Sequence, residues 1–261
     1  MPIYKIAFFD IDGTLSDPKK RHLGFLESIP DSAKNAIRKL RENGITPVIA
    51  TGRNKNMIEN AAKELQINTL ITSNGHVITH DGEVVYYEPI ATKDRNAVAE
   101  YLNFLKVEYV IESLHQNTTV MHNEISSSFF NAEYKKVGNP DSYKNTDVLQ
   151  FVYHSDDANK IKFEIPGIIS DKVATSVYNI HSSAISKATS ITKLLSALDI
   201  PLEQSIAFGD EENDIQMFKA VGFSVCMGNG NSRLKELASY ITDGVDEDGI
   251  YNACIKLGLI K

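Results

Sequence analysis

Short runs of mostly apolar residues recur along the chain, and each ends in polar residues. The first run covers residues 5–9, and similar runs lie at 47–50, 69–72 and 205–208. A run that is apolar at almost every position is typical of a strand covered on both faces. The pattern therefore predicts buried strands, each opening at its carboxyl end into a polar loop.

Helical patterns lie between these strands. Apolar residues recur at three- and four-residue spacing in three segments: Ala33, Ala36, Ile37 and Leu40; Met57, Ala61 and Leu65; Ile191, Leu194, Leu195 and Leu198. Strands that alternate with helices indicate a parallel sheet with right-handed crossovers. The predicted fold class is therefore α/β.

The pattern changes near residue 76. Asp81-Gly82 stands between two β-rich runs, which predicts a hairpin. Beyond it we expect a helix over 94–106 and strands at 108–112, 118–122, 148–154 and 173–180, with weakly patterned stretches between them. We therefore predict an inserted α+β domain over residues 83–181, within a core formed by 1–82 and 182–261.

Acidic residues follow two of the buried strands. Asp10 and Asp12 come directly after the first strand, and side chains two apart on a strand point the same way. Carboxylates held together repel each other unless a cation or a proton lies between them. Asp210 and Asp214 follow a later strand. Because ligands of open α/β sheets bind beyond the carboxyl ends of the strands, we predict a site there.

The composition and charge of the chain argue against several classes of protein. The chain has 261 residues, 42% of them hydrophobic, and a net charge of −7, which argues against a nucleic-acid binder. No apolar run approaches the roughly 20 residues that span a bilayer, so no membrane partner is expected. The first strand begins too close to Met1 for a signal peptide, which favours a cytoplasmic protein. Cys226 and Cys254 do not have metal-ligand spacing.

A carboxylate cluster with few nitrogen or sulfur ligands suits Mg²⁺. We expect Asp10 and Asp210 to bind the ion through their side chains and Asp12 through its backbone carbonyl. Asp214 would bind the ion directly or through its water. Mg²⁺ and Lys187 would neutralise a substrate phosphate.

The same groups suggest a reaction on a phosphate ester. The Thr51 hydroxyl and the Gly52 amide would donate hydrogen bonds to the phosphate oxygens. Asp10 would attack phosphorus and form an aspartyl-phosphate. Asp12 would protonate the leaving alcohol and later activate water.

Four motifs in order resemble the haloacid dehalogenase superfamily: Asp10-Ile11-Asp12-Gly13-Thr14, Thr51-Gly52-Arg53, Lys187, and Gly209-Asp210 with Asn213-Asp214. The insertion resembles the cap of Cof-type phosphatases with a C2B cap. The resemblance implies a Rossmann-like core, Mg²⁺ dependence, Asp10 as nucleophile and Asp12 as acid and base. It also implies phosphate contacts from the Ile11 backbone, Thr51, Gly52, Lys187 and Asn213. Ala188 departs from the glycine that the family often has after the lysine.

We therefore predict a phosphatase acting on a small phosphate monoester, with a sugar phosphate favoured, and with the insertion as a mobile cap over the leaving group. A phosphomutase or phosphotransferase on sugar phosphates would use the same aspartyl-phosphate. A phospho-accepting signalling module would use a similar acidic cluster but needs no large insertion. The sequence does not determine the oligomeric state.

Several residues have a structural interpretation. Residues 15–29 are predicted to be a loop, with the basic residues 19–22 as a solvated surface. Arg53 is either a residue at the start of a helix or a neighbour of the phosphate. The tyrosines Tyr86, Tyr87 and Tyr109 are expected in the core of the insertion, and the histidines of the chain are not expected to bind metal.

Overall fold

The computed structural model describes residues 4–120, 136–155, 161, 163–174 and 176–261. The chain divides into two compact units. The first contains Met1–Tyr86 and Ser186–Lys261, and the second, here called the insertion unit, contains Tyr87–Ile185. The predicted junctions at residues 82/83 and 181/182 lie close to these divisions.

The described residues include 14 strands and seven α-helices. The strands are β1 (Ile6–Phe9), β2 (Thr46–Ala50), β3 (Thr69–Thr72), β4 (Val77–His80), β5 (Glu83–Tyr87), β6 (Tyr109–Glu112), β7 (Asn117–Val120), β8 (Lys136–Gly138), β9 (Gln150–His154), β10 (Ile168–Ala174), β11 (Val177–Ser182), β12 (Ser205–Gly209), β13 (Phe223–Cys226) and β14 (Tyr240–Ile241). The helices are α1 (Asp31–Glu42), α2 (Lys55–Glu64), α3 (Thr92–Phe104), α4 (Lys187–Ala197), α5 (Ile215–Lys219), α6 (Ser232–Leu237) and α7 (Gly249–Lys256).

The first sheet has the order β14-β13-β12-β1-β2-β3-β4-β5. Its neighbours from β14 to β3 are parallel, and β4 is antiparallel to β3. Alternate residues of β1 enter two separate cores, since Ala7 and Phe9 pack in one and Ile6 and Phe8 in the other. This explains why β1 is apolar throughout, and the predicted α/β fold with a parallel-sheet core is confirmed.

The hairpin predicted at Asp81-Gly82 is present between β4 and β5. Asp81 has φ 49° and Gly82 has φ 83°, and tight hairpin turns of this kind require positive φ at both central positions. Tyr86, at the end of β5, packs against a core of the first unit, so its predicted place in the core of the insertion is wrong.

The insertion unit contains a sheet of order β10-β11-β9-β6-β7-β8, antiparallel except for the pair β7–β8. Tyr109, Phe151 and Tyr178 pack with Val98 and Leu102 of α3 in its main core, so the prediction for Tyr109 is confirmed. The single strand predicted over 173–180 is wrong, because a turn with Ser176 at φ 61° divides that run. Part of the predicted strand at 118–122 and most of the stretch 124–146 lie outside the described residues.

Candidate active site

The parallel sheet brings the predicted site residues to one edge. Strand β1 lies between β12 and β2 and is parallel to both, so Asp10, Thr51 and Asp210 follow three neighbouring strands at the same end. Thr51 accepts a hydrogen bond from the Arg53 N–H at 3.1 Å and is buried. The carboxyl ends of β12, β1 and β2 thus form the polar edge that the sequence predicts.

Three carboxylates converge at this edge. One oxygen each from Asp10, Asp210 and Asp214 lies within 4.8 Å of the others, and all three residues are buried. Among the described residues this is the one cluster of three His, Cys, Asp or Glu side chains that could hold a metal ion. Burial raises the pKa of Asp10 to about 7 and that of Asp210 to about 8. Such crowding is unfavourable without a cation.

Lys187 supplies a positive charge to the cluster. Its Nζ donates to Asp10 Oδ1 at 2.6 Å and to Asp214 Oδ1 at 2.7 Å, and only 3% of its side chain is exposed. Burial alone would lower the pKa of Lys187, but the two carboxylates outweigh burial and raise it. Lys187 is therefore charged, and it fixes the position of the Asp10 carboxylate.

The start of helix α4 places Lys187. Ser186 caps the helix and forms a capping box with Thr189. The Ser190 hydroxyl donates to the Gly75 carbonyl at 2.5 Å, which joins the helix to the loop after β3. Gly75 has φ 99°, and a Cβ there would overlap the Ser186 carbonyl. Ala188, where the family often has glycine, does not displace the lysine from the carboxylates.

Backbone and side-chain contacts hold Asp210 and Asp214. The Thr14 hydroxyl donates to Asp210 Oδ1 at 2.7 Å. Asp214 Oδ2 accepts from the Asp210 N–H at 3.0 Å and from the Glu211 N–H at 3.3 Å. A Cβ at Gly13, which has φ 92°, would overlap Asp210 Oδ2. Glycine is therefore required where the turn after β1 approaches β12.

The Asp12 side chain is held by arginines, whereas its backbone N–H donates to Asp10 Oδ2 at 3.0 Å. Arg53 donates to both oxygens of Asp12, from Nε at 2.9 Å and from Nη2 at 2.8 Å. Arg21 also forms an ion pair with Asp12, and the Arg53 guanidinium lies 5.1 Å from the centre of the Phe25 ring. Burial would raise the pKa of Asp12, but Arg53 and then Arg21 outweigh it and lower that pKa below its usual value.

The arginine contacts add to the sequence prediction. Residues 19–22 are exposed, as predicted for a solvated surface, yet Arg21 also binds Asp12. The predicted loop over 15–29 contains a short 3-10 helix at Pro18–Leu23. Arg53 is therefore a neighbour of the acidic residues as well as a residue near the start of α2. No spacing or periodicity in the sequence distinguishes Arg21 from the basic residues beside it.

Two predicted phosphate contacts have different surroundings. Ile11 is buried, and its backbone N–H donates no hydrogen bond to a described residue, so it is available as a donor. Asn213 is exposed within the 3-10 helix Glu212–Asp214, and within the described chain no hydrogen bond is found for its side chain. Asn229, for which the sequence predicts no contact, donates to the Gly13 carbonyl at 2.9 Å.

Comparison with known proteins identifies the family. A sequence profile of haloacid dehalogenase-like hydrolases matches residues 7–254. YkrA of Bacillus subtilis, a phosphatase by its name, is 30% identical over 267 residues, which cover 98% of this chain and 99% of YkrA. The phosphoglycolate phosphatase of Archaeoglobus fulgidus is 28% identical over 261 residues, which cover 98% of each chain.

A solved structure gives the same result. The fold is similar to that of BT4131, a sugar phosphatase of haloacid dehalogenase subclass IIB, with a TM-score of 0.85 and 26% identity over 98% of this chain and 100% of that chain. In the part of the chain that is described, no helix has both the length and the apolar character that a bilayer crossing requires. The chain belongs to the haloacid dehalogenase-like hydrolase family and is one of its phosphatases.

Proposed function

We propose that the protein is a Mg²⁺-dependent phosphatase that hydrolyses a small phosphate monoester through an aspartyl-phosphate on Asp10. One observation carries this proposal. The Asp10 carboxylate lies within 4.8 Å of two other buried carboxylates, and Lys187 holds it at 2.6 Å. A carboxylate fixed in this way is oriented for attack and is surrounded by groups that can balance a phosphate dianion.

The donor set fits a hard divalent cation. The three side chains offer oxygen ligands only, and burial raises the pKa values of Asp10 and Asp210, which a bound cation would offset. We assign the metal site to the side chains of Asp10, Asp210 and Asp214 and to the backbone carbonyl of Asp12. When bound, Mg²⁺ would neutralise negative charge on the carboxylates and the phosphate.

The first half of the proposed reaction transfers the phosphoryl group to the protein. An Asp10 oxygen forms a bond to phosphorus while the bond from phosphorus to the ester oxygen breaks. The proton of the Asp12 carboxyl group passes to the departing oxygen, so the alcohol leaves neutral. Lys187 keeps its positive charge throughout.

The second half returns Asp10 to its starting state. Water attacks the phosphorus of the aspartyl-phosphate, and the Asp12 carboxylate accepts a proton from that water. The bond between phosphorus and the Asp10 oxygen breaks, and inorganic phosphate leaves. We propose that the Ile11 and Gly52 amides, the Thr51 hydroxyl, Lys187 and Asn213 bind the phosphate oxygens in both halves.

We propose that Arg53 positions Asp12 between these proton transfers. Its guanidinium binds both oxygens of the Asp12 carboxylate, which fixes the plane of that group. Because Arg53 favours the charged form of Asp12, Asp12 is ready to accept a proton from water in the second half of the reaction. The first half of the reaction requires a protonated Asp12, and this protonation would accompany a weakening of the ion pair between Arg53 and Asp12.

A sugar phosphate is the substrate class that we propose. BT4131, similar over nearly the whole chain, is a sugar phosphatase, whereas the Archaeoglobus relative acts on phosphoglycolate. We also propose that the first unit performs the chemistry and that the insertion unit recognises the leaving group. The free, buried Cys226 and Cys254 are compatible with a reducing compartment, and we propose a cytoplasmic location.

The test is a panel of phosphate monoesters assayed with Mg²⁺, beside the Asp10→Asn variant. We expect inorganic phosphate in stoichiometric yield from the wild type, and a phosphorylated protein after acid quench that the variant does not form. Isomerised sugar phosphate without free phosphate would instead indicate a mutase. A phosphorylated protein that persists for minutes would indicate a signalling module.

A further inference from the structure

One side chain connects the turn after β1 to the loop before α7. Asn229 follows β13 and is exposed, yet both ends of its amide group contact the protein. Its Nδ2 donates to the Gly13 carbonyl at 2.9 Å, and its Oδ1 accepts from the Val245 N–H at 2.9 Å. Because one end donates and the other accepts, the two contacts fix the orientation of the amide.

Gly13 lies between two of the groups that we assign to the metal. The Asp12 carbonyl directly precedes Gly13 in the chain, and a Cβ at Gly13 would overlap Asp210 Oδ2, so the Asp210 carboxylate packs on this glycine. The Gly13 N–H donates within its own turn, to the Ser16 carbonyl at 2.9 Å. Glycine has more conformational freedom than other residues, so the bond from Asn229 to the Gly13 carbonyl limits where the turn can move.

Asn229 also lies beside the Asp210 carboxylate itself. Its Nδ2 is 3.5 Å from Asp210 Oδ2, a long contact, while the Thr14 hydroxyl donates to the other oxygen, Oδ1, at 2.7 Å. Both of these neighbours are neutral. A neutral donor orients a carboxylate and leaves its negative charge available for a cation.

The loop that carries Asn229 is bonded on both sides of this residue. The Gly228 N–H donates to the Asp243 carbonyl at 2.9 Å, and the Asn231 N–H donates to the Asp210 carbonyl at 2.7 Å. The backbone of Asn229 is therefore held against the segments that follow β12 and β14. From this fixed position its amide can restrain the turn at Gly13.

We infer that Asn229 is a positioning residue for the metal site. It restrains the turn at Gly13 and so keeps the Asp12 carbonyl and the Asp210 carboxylate in the arrangement that binds a divalent cation. This inference rests on the proposed function, which assigns the metal to these groups. Asn229 supplies no ligand of its own, and its loss should weaken metal binding because residues that orient metal ligands typically change metal affinity by about 10- to 100-fold.

Metal binding without substrate tests the inference. Asn229→Leu keeps a side chain of similar size and removes both the donor and the acceptor, and Asn229→Ala removes the amide without adding apolar bulk. Asn252→Leu is the matched control. Asn252 donates to Asp243 Oδ2 at 2.8 Å and to the Glu247 carbonyl at 3.2 Å, so it secures the same loop as Val245 but contacts no assigned ligand.

Two probes measure the affinity of the folded protein, well below its unfolding temperature. Calorimetry gives the dissociation constant of Mg²⁺, and the electron paramagnetic resonance signal of free Mn²⁺ gives that of Mn²⁺. We expect both Asn229 variants to bind each ion about 10-fold more weakly, and Asn252→Leu to change by less than about 2-fold. Saturating Mg²⁺ should restore the phosphatase activity of the Asn229 variants to within about 2-fold of the wild type, which a general loss of structure would prevent.

Asp210→Asn separates the two proposals. If the wild type binds no Mg²⁺, or if Asp210→Asn binds it as tightly as the wild type, the assigned metal site fails and this inference fails with it. If Asp210→Asn loses the binding that the wild type has, the inference alone is overturned by any of three results: unchanged affinity in the folded Asn229 variants, an equal loss in Asn252→Leu, or activity that saturating Mg²⁺ does not restore.

A further measurement needs no variant. Because the Val245 N–H donates to Asn229, Mg²⁺ should slow the hydrogen exchange of the Val245 amide in the wild type about 5-fold. Exchange at Val245 that Mg²⁺ leaves unchanged would overturn the inference even if neither Asn229 variant folds.

Discussion

The two units of this protein treat their buried charged and polar groups differently. At the polar edge of the first unit, charges are crowded and joined by ion pairs, since Lys187 contacts both Asp10 and Asp214. On one face of the insertion unit's sheet the polar residues Asn117, Thr119 and Gln150 are neutral, and the Asn117 Oδ1 and the Thr119 hydroxyl have no hydrogen-bond partner among the described residues.

This difference suggests a division of labour. A group that must attack or transfer a proton has to be held in one geometry before the substrate arrives, and ion pairs and hydrogen bonds within the protein provide that geometry. A group that selects among ligands keeps hydrogen-bonding capacity for the ligand itself.

Replacement of Asp10, the proposed nucleophile, should have the largest effect. Asp10→Asn keeps the size of the side chain but removes the attacking oxygen anion, so we expect phosphate release to fall at least about 1,000-fold on every substrate. Phosphate release and circular dichroism are the measurements. A folded variant with substantial turnover would exclude Asp10 as the nucleophile.

The turn after β1 should be nearly as sensitive. Gly13→Ala places a Cβ on Asp210 Oδ2 and strains a residue at φ 92°, so we expect about a 100-fold loss of kcat along with a stability loss of about 1–3 kcal/mol. Gly44→Ala is the matched control, since Gly44 has φ 77° and no neighbour within 4 Å of the added Cβ. It should lose comparable stability while its kcat is unchanged; a similar loss of kcat in both variants would contradict the prediction.

Magnesium should stabilise the protein, and more so at pH 8.5 than at pH 6. The folded pKa values of Asp10 and Asp210, about 7 and about 8, lie above their ordinary value of 3.8. Without metal, the folded state therefore binds more protons than the unfolded state, and stability falls as pH rises from about 4 to 8. A metal ion competes with those protons, so its stabilising effect grows over the same range.

We expect about 2.7 kcal/mol from Mg²⁺ at 100 times its dissociation constant at pH 8.5. Thermal unfolding with and without Mg²⁺ measures the effect. Hydrogen exchange should show the protection in β1 and β12 and not in β6 and β9. Equal stabilisation at both pH values, or protection confined to the insertion unit, would contradict the assigned metal site.

The arginine that binds Asp12 should have the smallest of these effects. Arg53→Lys keeps a positive charge but loses the paired contact with both carboxylate oxygens. We expect kcat for a sugar phosphate to fall about 10-fold, with a smaller loss for an activated aryl phosphate, whose leaving group needs no proton. Arg38→Lys, at a surface arginine paired with Glu42, should leave both activities unchanged. Equal losses on the two substrates in Arg53→Lys would show that Arg53 does not act through Asp12.

Much of the first unit could be predicted because its signals are local. The parallel strands β1, β2 and β12 are buried on both faces, so each appears in the sequence as an apolar run. Because these strands are neighbours in a parallel sheet, the residues that follow them lie at the same edge. The same logic predicts the convergence of Asp10 and Asp210. It could not predict the contact of Arg21 with Asp12, because an arginine exposed in a loop has the same sequence pattern whether or not its tip reaches a carboxylate.

The insertion was harder to predict for a related reason. Its sheet alternates between a packed face and a polar face, so a polar residue such as Thr119 or Gln150 looks like an ordinary solvent-facing position in the sequence. The turn at Ser176 divides a run of strand-forming residues, and Ser176 itself carries the positive φ without a glycine to mark it. Tyr86 was misassigned because the hairpin strand β5 runs across the junction between the units.

Lys187 is the first residue of helix α4 and follows the capping residue Ser186, with which the first unit resumes. Its anchors, the Ser186–Thr189 capping box and the bond from Ser190 to Gly75, all belong to the first unit. The chain can therefore be cut and rejoined at 86/87 and 185/186 without touching the groups that orient the lysine. This makes the protein a candidate for grafting, in which the segment between those points is exchanged to redirect selectivity while the reaction is retained.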